Sequence, residues 1–105
     1  MTPIVVHVTV PDAVLGAAIG RALVEESLAA CASIVPGITS IYRWQGEIQQ
    51  AAEHLLVIKS AQELWEPLQE AIRARHPYEV PEIVAFKAEG AWEGYAAWWR
   101  ECLGF

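Results

Sequence analysis

The stretch Leu28–Glu47, LAACASIVPGITSIYRWQGE, limits what this chain can fold into more than any other part of it. It holds an apolar run from Ala29 to Ile41, broken only by Pro36-Gly37, and ends on Tyr42 and Trp44. β-Branched and aromatic residues crowd its far end, so it reads as a strand well beyond the usual length of roughly five or six residues. Proline gives no ladder donor and glycine accepts irregular backbone, so a kink or bulge is expected at Pro36-Gly37. Gln45-Gly46 then reads as a tight hairpin turn, because glycine takes positive φ without steric cost. A return arm follows from Glu47 to Lys59, polar in its outer part and apolar from Leu55 to Ile58. A hairpin of this length outruns what one small domain can cover, and the excess implies a partner chain.

The flanking segments supply the rest of the sheet and its helices. Pro3 to Val10 alternates Ile4, Val6, Val8 and Val10 with Val5, His7 and Thr9, the pattern of a strand with one fully buried face. His7 falls on the other face and reads as a half-exposed strand residue. Pro11-Asp12 ends the strand, and Asp12 can accept from the free N–H groups of a helix that follows. From Ala13 to Leu28 the positions Leu15, Ile19, Ala22 and Leu23 share one face, which predicts an amphipathic helix. Leu64, Leu68 and Ile72 mark a second helix ending near Arg75; Pro67 requires it either to start late, near Glu66, or to kink. His76 to Glu82 reads as a stiff extended crossover, since Pro77 and Pro81 each push the preceding residue out of the helical region. Ile83 to Lys87 is a last core strand, and Trp92, Tyr95, Trp98, Trp99 and Cys102 recur at the spacing of a short C-terminal helix. That aromatic stripe is packing, within the chain or between subunits. Strand, helix, two long strands, helix, strand is the α+β βαββαβ arrangement of a ferredoxin-like sandwich: one antiparallel sheet with two helices on one face, in a single domain spanning residues 1–105.

Charge and cysteine usage narrow the partners. Thirteen acidic against seven basic side chains give a net charge of −6, which disfavours nucleic acid and anionic membranes and suits cations. No secretion signal and no apolar span of roughly 18 residues stands out, and Cys31 and Cys102 read as free thiols, so a cytoplasmic protein is expected.

Chemistry-bearing residues cluster in two places. Cys31 follows the first helix, and His76, Tyr78, Glu79 and Glu82 lie within the crossover. A thiolate and an imidazole suit copper or zinc, while carboxylates widen the choice toward harder ions, so Cys31, His76, Glu79 and Glu82 form the candidate metal set. Glu79 and Glu82, three apart on a stiff segment, can face one cleft. The competing structural roles are plain: Cys31 as a small core residue, His76 as a helix terminator, and the two glutamates as surface acids. A thiol enzyme would pair Cys31 with His76, but no third member or oxyanion hole accompanies them, and the reading is non-catalytic. A binding module without metal remains open: a small-molecule sensor with Trp44, Lys59 and Tyr78 lining its cleft, or a scaffold that recruits a protein partner. Lys59, at the end of an apolar strand, otherwise reads as a snorkelling side chain.

The chain resembles the CutA1-type divalent-cation tolerance family. The likeness rests on Leu28-Ala29-Ala30-Cys31, on Ile34 through Tyr42, on Trp44 with Gly46, and on the strand Leu55 to Lys59. Above all it rests on His76-Pro77-Tyr78-Glu79-Val80-Pro81-Glu82, with Tyr95 and Trp98 also in place. The resemblance implies a homotrimer whose hairpin arms pair with neighbouring subunits, through an interface that would use Pro36, Tyr42, Trp44 and Trp98. It also implies divalent-metal tolerance or response, with copper(II) first and zinc second, and a site for metal or a small ligand in clefts between subunits, in a tolerance or signalling role.

Overall fold

Ile4, Val6, Val8 and Val10 are all fully buried, and the residues between them are half-buried, so β1 (Pro3–Val10) has the two-faced character that its alternation demands. The computed structural model covers Met1–Phe105. After β1 the elements run α1 (Ala13–Glu25), β2 (Cys31–Trp44), β3 (Glu47–Ala61), a 3₁₀ turn (Gln62–Leu64), α2 (Trp65–Arg75), β4 (Ile83–Lys87) and α3 (Glu93–Cys102). The strands form one antiparallel sheet in the order β2-β3-β1-β4, the ferredoxin-like arrangement.

Local chemistry sets the element ends. Asp12 caps α1, its Oδ1 accepting from the Leu15 N–H at 2.8 Å. The first helix stops at Glu25, short of the expected Leu28, because Ser27 turns into the left-handed region (φ 57°) and the Leu28 N–H folds back to the Leu23 carbonyl. β2 therefore begins only at Cys31. Of the two placements open for the second helix, the late start is the one found: Pro67 is its third residue, inside the first turn where its missing N–H costs nothing. At the other end His76 is held extended (ψ 132°) before Pro77.

One face of the sheet carries the main core. Ile4, Val6, Val8, Leu56 and Ile58 pack against Ile19 and Leu23 of α1 and Leu68 and Ile72 of α2. Each such fully buried side chain contributes about 1.5–3 kcal/mol over exposure. α3 is placed differently. Its Trp99 and Leu103 form a second cluster with Ala30 and Ala61 that reaches Val5, on the sheet's opposite face, and the Trp99 indole N–H donates to the Ser60 carbonyl at 2.9 Å. Trp99 is thus the packed member of the aromatic stripe, whereas Trp92 and Trp98 stay exposed.

The β2–β3 hairpin projects from this body. Gln45 and Gly46 both have positive φ (51° and 82°), the geometry of a two-residue turn matched to strand twist. At 44 Å the molecule is twice as long as it is thick, and its Cα radius of gyration of 14.2 Å exceeds the ~13 Å of a compact chain of this length. The expected irregularity sits between Val35 and Ile38, with Gly37 at φ 75°. Val35 lies opposite Leu55 and Ile38 opposite Glu53, so three steps on β2 match two on β3. That extra residue reverses which side chains of the outer β2 arm share a face with the inner sheet.

Replacing Asp12 with alanine removes the α1 cap and should lower stability by about 1 kcal/mol in denaturant unfolding. Val14→Ala, on the same helix but 82% exposed, should change almost nothing.

Candidate functional site

The bulge decides what meets on the sheet's uncovered face. Opposed residues share a face, so Ile38, Ser40, Tyr42 and Trp44 fall on the side of Glu53, Ala51, Gln49 and Glu47. That is also the side of Thr9, which lies opposite Leu55, two residues along from Glu53. Without the extra residue, Tyr42 and Trp44 would project from the other side. Together with the 78–82 crossover they enclose a cleft of about 810 Å³, lined by Thr9, Ser40–Trp44, Glu53 and Tyr78–Glu82.

Glu53 is the cleft's least exposed polar group, at 5%. Its Oε2 accepts from the Tyr78 hydroxyl at 2.8 Å, while Oε1 makes no hydrogen bond within the protomer. Burial, then the hydrogen bond to Glu53 and its charge, push the Tyr78 phenol up to about 12 from 10.0. Tyr78 in turn holds His76. Its N–H donates to Nδ1 at 3.2 Å, so the ring proton sits on Nε2 and is donated to the Thr9 carbonyl at 2.7 Å. The two rings lie 4.6 Å apart, and His76 is 8% exposed. Both imidazole nitrogens are therefore engaged, and the crossover is pinned to the end of β1 just past its pairing with β4.

The candidate residues divide between the two ends of the sheet. Trp44, Tyr78, Glu79 and Glu82 line the one cleft, and His76 stands behind it. Cys31 lies at the opposite end of the strands, level with Lys59 and Val5. That is four residues from Thr9 along the sheet, roughly 13 Å. There it faces Ser33 (Sγ···Oγ 3.7 Å) and the Tyr95 hydroxyl, whose titration is raised first by burial and then by the Cys31 thiol. Lys59 shares that end and takes no part in the cleft. Within the chain, no three His, Cys, Asp or Glu side chains converge to hold an ion. Pro36, Tyr42, Trp44 and Trp98, the residues assigned to an interface, are all exposed in the protomer. Glu53 escaped the sequence reading because it sits among polar residues of the outer arm. Only the parity change at Pro36-Gly37 would have put it beside the aromatic pair.

Comparison with known proteins gives a consistent result. A model of the CutA1 divalent ion tolerance protein family matches residues 4–102. The divalent-cation tolerance protein CutA of Thermus thermophilus is 52% identical over 101 residues, covering 95% of this chain and 97% of that protein. The chloroplastic protein CutA of Arabidopsis thaliana is 47% identical over 95 residues, 90% of this chain. This chain spans only 52% of that plant protein's length. Among solved structures, CutA1 of Thermus thermophilus superposes with a TM-score of 0.94 at 48% identity, covering 97% of this chain and 99% of that one. CutA1 of Oryza sativa gives 0.93 at 41%, covering 97% and 94%.

Tyr78 is neutral in its bond to Glu53, so its raised titration stabilises the fold below pH 10 and that contribution disappears as pH rises toward about 12. Alkaline titration followed by phenolate absorbance should show a late step that Tyr78→Phe abolishes. The variant's stability should also fall less between those two pH values.

Proposed function

The chain belongs to the CutA1 divalent ion tolerance family, and from that premise we propose that it acts as a non-catalytic homotrimer binding divalent cations, copper before zinc, in a tolerance or response role. The observation that carries the reading is the cleft itself, which Glu53, Glu79 and Glu82 all line, though without converging on one point in a single chain, so that a neighbouring subunit would complete the ligand set. Carboxylate oxygens accept divalent ions broadly, and copper gains most from a softer donor in the same site. Cys31 lies at the far end of the cleft's sheet face, where α3 covers it and Tyr95 stands beside it, so its thiol would join only carboxylates brought by a neighbouring subunit. His76 would join by giving up its bond to Thr9.

Trimer assembly is supported by what the protomer exposes. Tyr42, Trp44, Ile41 and Ile48 on the hairpin arm are between 38% and 68% exposed, and Val84 and Phe86 on β4 are also open. Apolar surface of that extent marks contact with another chain, and β2 and β4 are edge strands with unpaired ladder groups. Both cysteines are free thiols, which suits the reducing cytoplasm.

Titration with copper and zinc, combined with mass under non-denaturing conditions, tests both parts. The expected result is a trimer with saturable copper binding, weakened by about tenfold or more in Glu79→Gln/Glu82→Gln and in Cys31→Ser. A monomeric mass contradicts the assembly. Copper affinity unchanged in the glutamate variant contradicts the cleft as the metal site.

A further inference from the structure

Three aromatic rings accompany the carboxylates of the cleft, and a metal site has no use for them. Tyr42, Trp44 and Tyr78 all line it. Neither Tyr42 nor Trp44 stacks on another ring of its own chain, so whatever ring surface a neighbouring subunit leaves uncovered faces the cleft. At about 810 Å³ on an open face, the cleft has room for more than a bare ion. The ligand-type side chains do not converge on a point in the protomer, as a dehydrated metal would require. Glu53 adds a directed acceptor: the residue is 95% buried, its Oε2 takes the Tyr78 hydroxyl, and its Oε1 has no protein donor and stays reachable from the cleft. A carboxylate held by Tyr78 through one oxygen, with the other still reachable from the cleft beside aromatic faces, is a combination that can receive a cation with an apolar shell.

We infer that the cleft binds an organic ammonium ion of the alkylammonium class, its charge held by Glu53 and its methyl shell against Trp44 and Tyr42. This rests on the reading of the cleft as the chain's cation site and names a second kind of cation for it. Glu79 and Glu82 at the rim add long-range attraction, which speeds entry more than it adds affinity. Arg43 also borders the cleft, but strand alternation turns it away from the face shared by Tyr42 and Trp44. An alkylammonium head needs no converging donors, because the quadrupoles of the rings and one carboxylate supply its contacts. A small neutral molecule of the same shape gains nothing from Glu53.

The test titrates the intact protein with tetramethylammonium chloride at constant ionic strength, followed by calorimetry and by the indole N–H resonances. tert-Butanol serves as the neutral isostere and copper is titrated in parallel. The expected result is saturable tetramethylammonium binding with a shift of one indole signal, absent with tert-butanol. Trp44→Leu and Glu53→Gln should each weaken it by about tenfold. Glu53→Gln keeps an acceptor for the Tyr78 hydroxyl, so it reports on charge even if Trp44→Leu disturbs assembly. Absent binding, equal binding of tert-butanol, or affinity unchanged in Glu53→Gln overturns the inference. Copper binding without tetramethylammonium binding overturns it while leaving the metal reading in place. The reverse pattern supports it and removes copper from the cleft.

Discussion

The pairing of β2 with β3, carried through a bulge at Pro36-Gly37, is the constraint on which the remaining structure depends. Strands of 14 and 15 residues outrun the body they grow from. Their inner halves complete the sheet over which α1 and α2 close the core, with Leu56 and Ile58 fully buried. Their outer halves have nothing beneath them in the protomer. The bulge then rotates the outer arm of β2 so that its aromatic residues look toward Glu53 and the crossover rather than away. A single inserted residue therefore converts a simple extension of the sheet into one wall of a cleft.

The opposite wall is held by a chain of polar contacts running from β1 to β3. His76 closes α2, donates to the Thr9 carbonyl and accepts from the Tyr78 N–H, and Tyr78 donates to Glu53. Pro77 and Pro81 stiffen the same segment by restricting the residues before them. The crossover is thereby fixed by two prolines and three hydrogen bonds, which places Glu79 and Glu82 without any secondary structure. Glu53 is nearly buried and has one donor for its two oxygens. Its second oxygen remains reachable from the cleft, free for water, a ligand or a neighbouring chain.

The elements themselves were legible because each rests on local periodicity. The period-two run in β1, the Leu68–Ile72 spacing of α2, the Asp12 cap and the Gln45-Gly46 turn all appear where the residues dictate. Long-range consequences were less so. Ser27 ends α1 early through a positive φ that its residue type does not announce. The bulge was expected, but its effect on side-chain parity follows only from the register, so Glu53 went unseen. Cys31 and His76 look like natural partners for a soft metal in the sequence, yet register sets them at opposite ends of the strands. Residue type indicates what chemistry a side chain can do, and the ladder decides which side chains meet.

The central claim is that the cation site lies on the uncovered sheet face, in the cleft between the outer hairpin arm and the crossover. Anomalous diffraction from crystals grown with copper locates the ion directly. The expected result is a peak within the cleft, bounded by Glu53, Glu79 and Glu82, with further ligands from a second subunit. A peak confined to the Cys31–Tyr95 end of the sheet, or no ordered copper in crystals of a trimer, would contradict it.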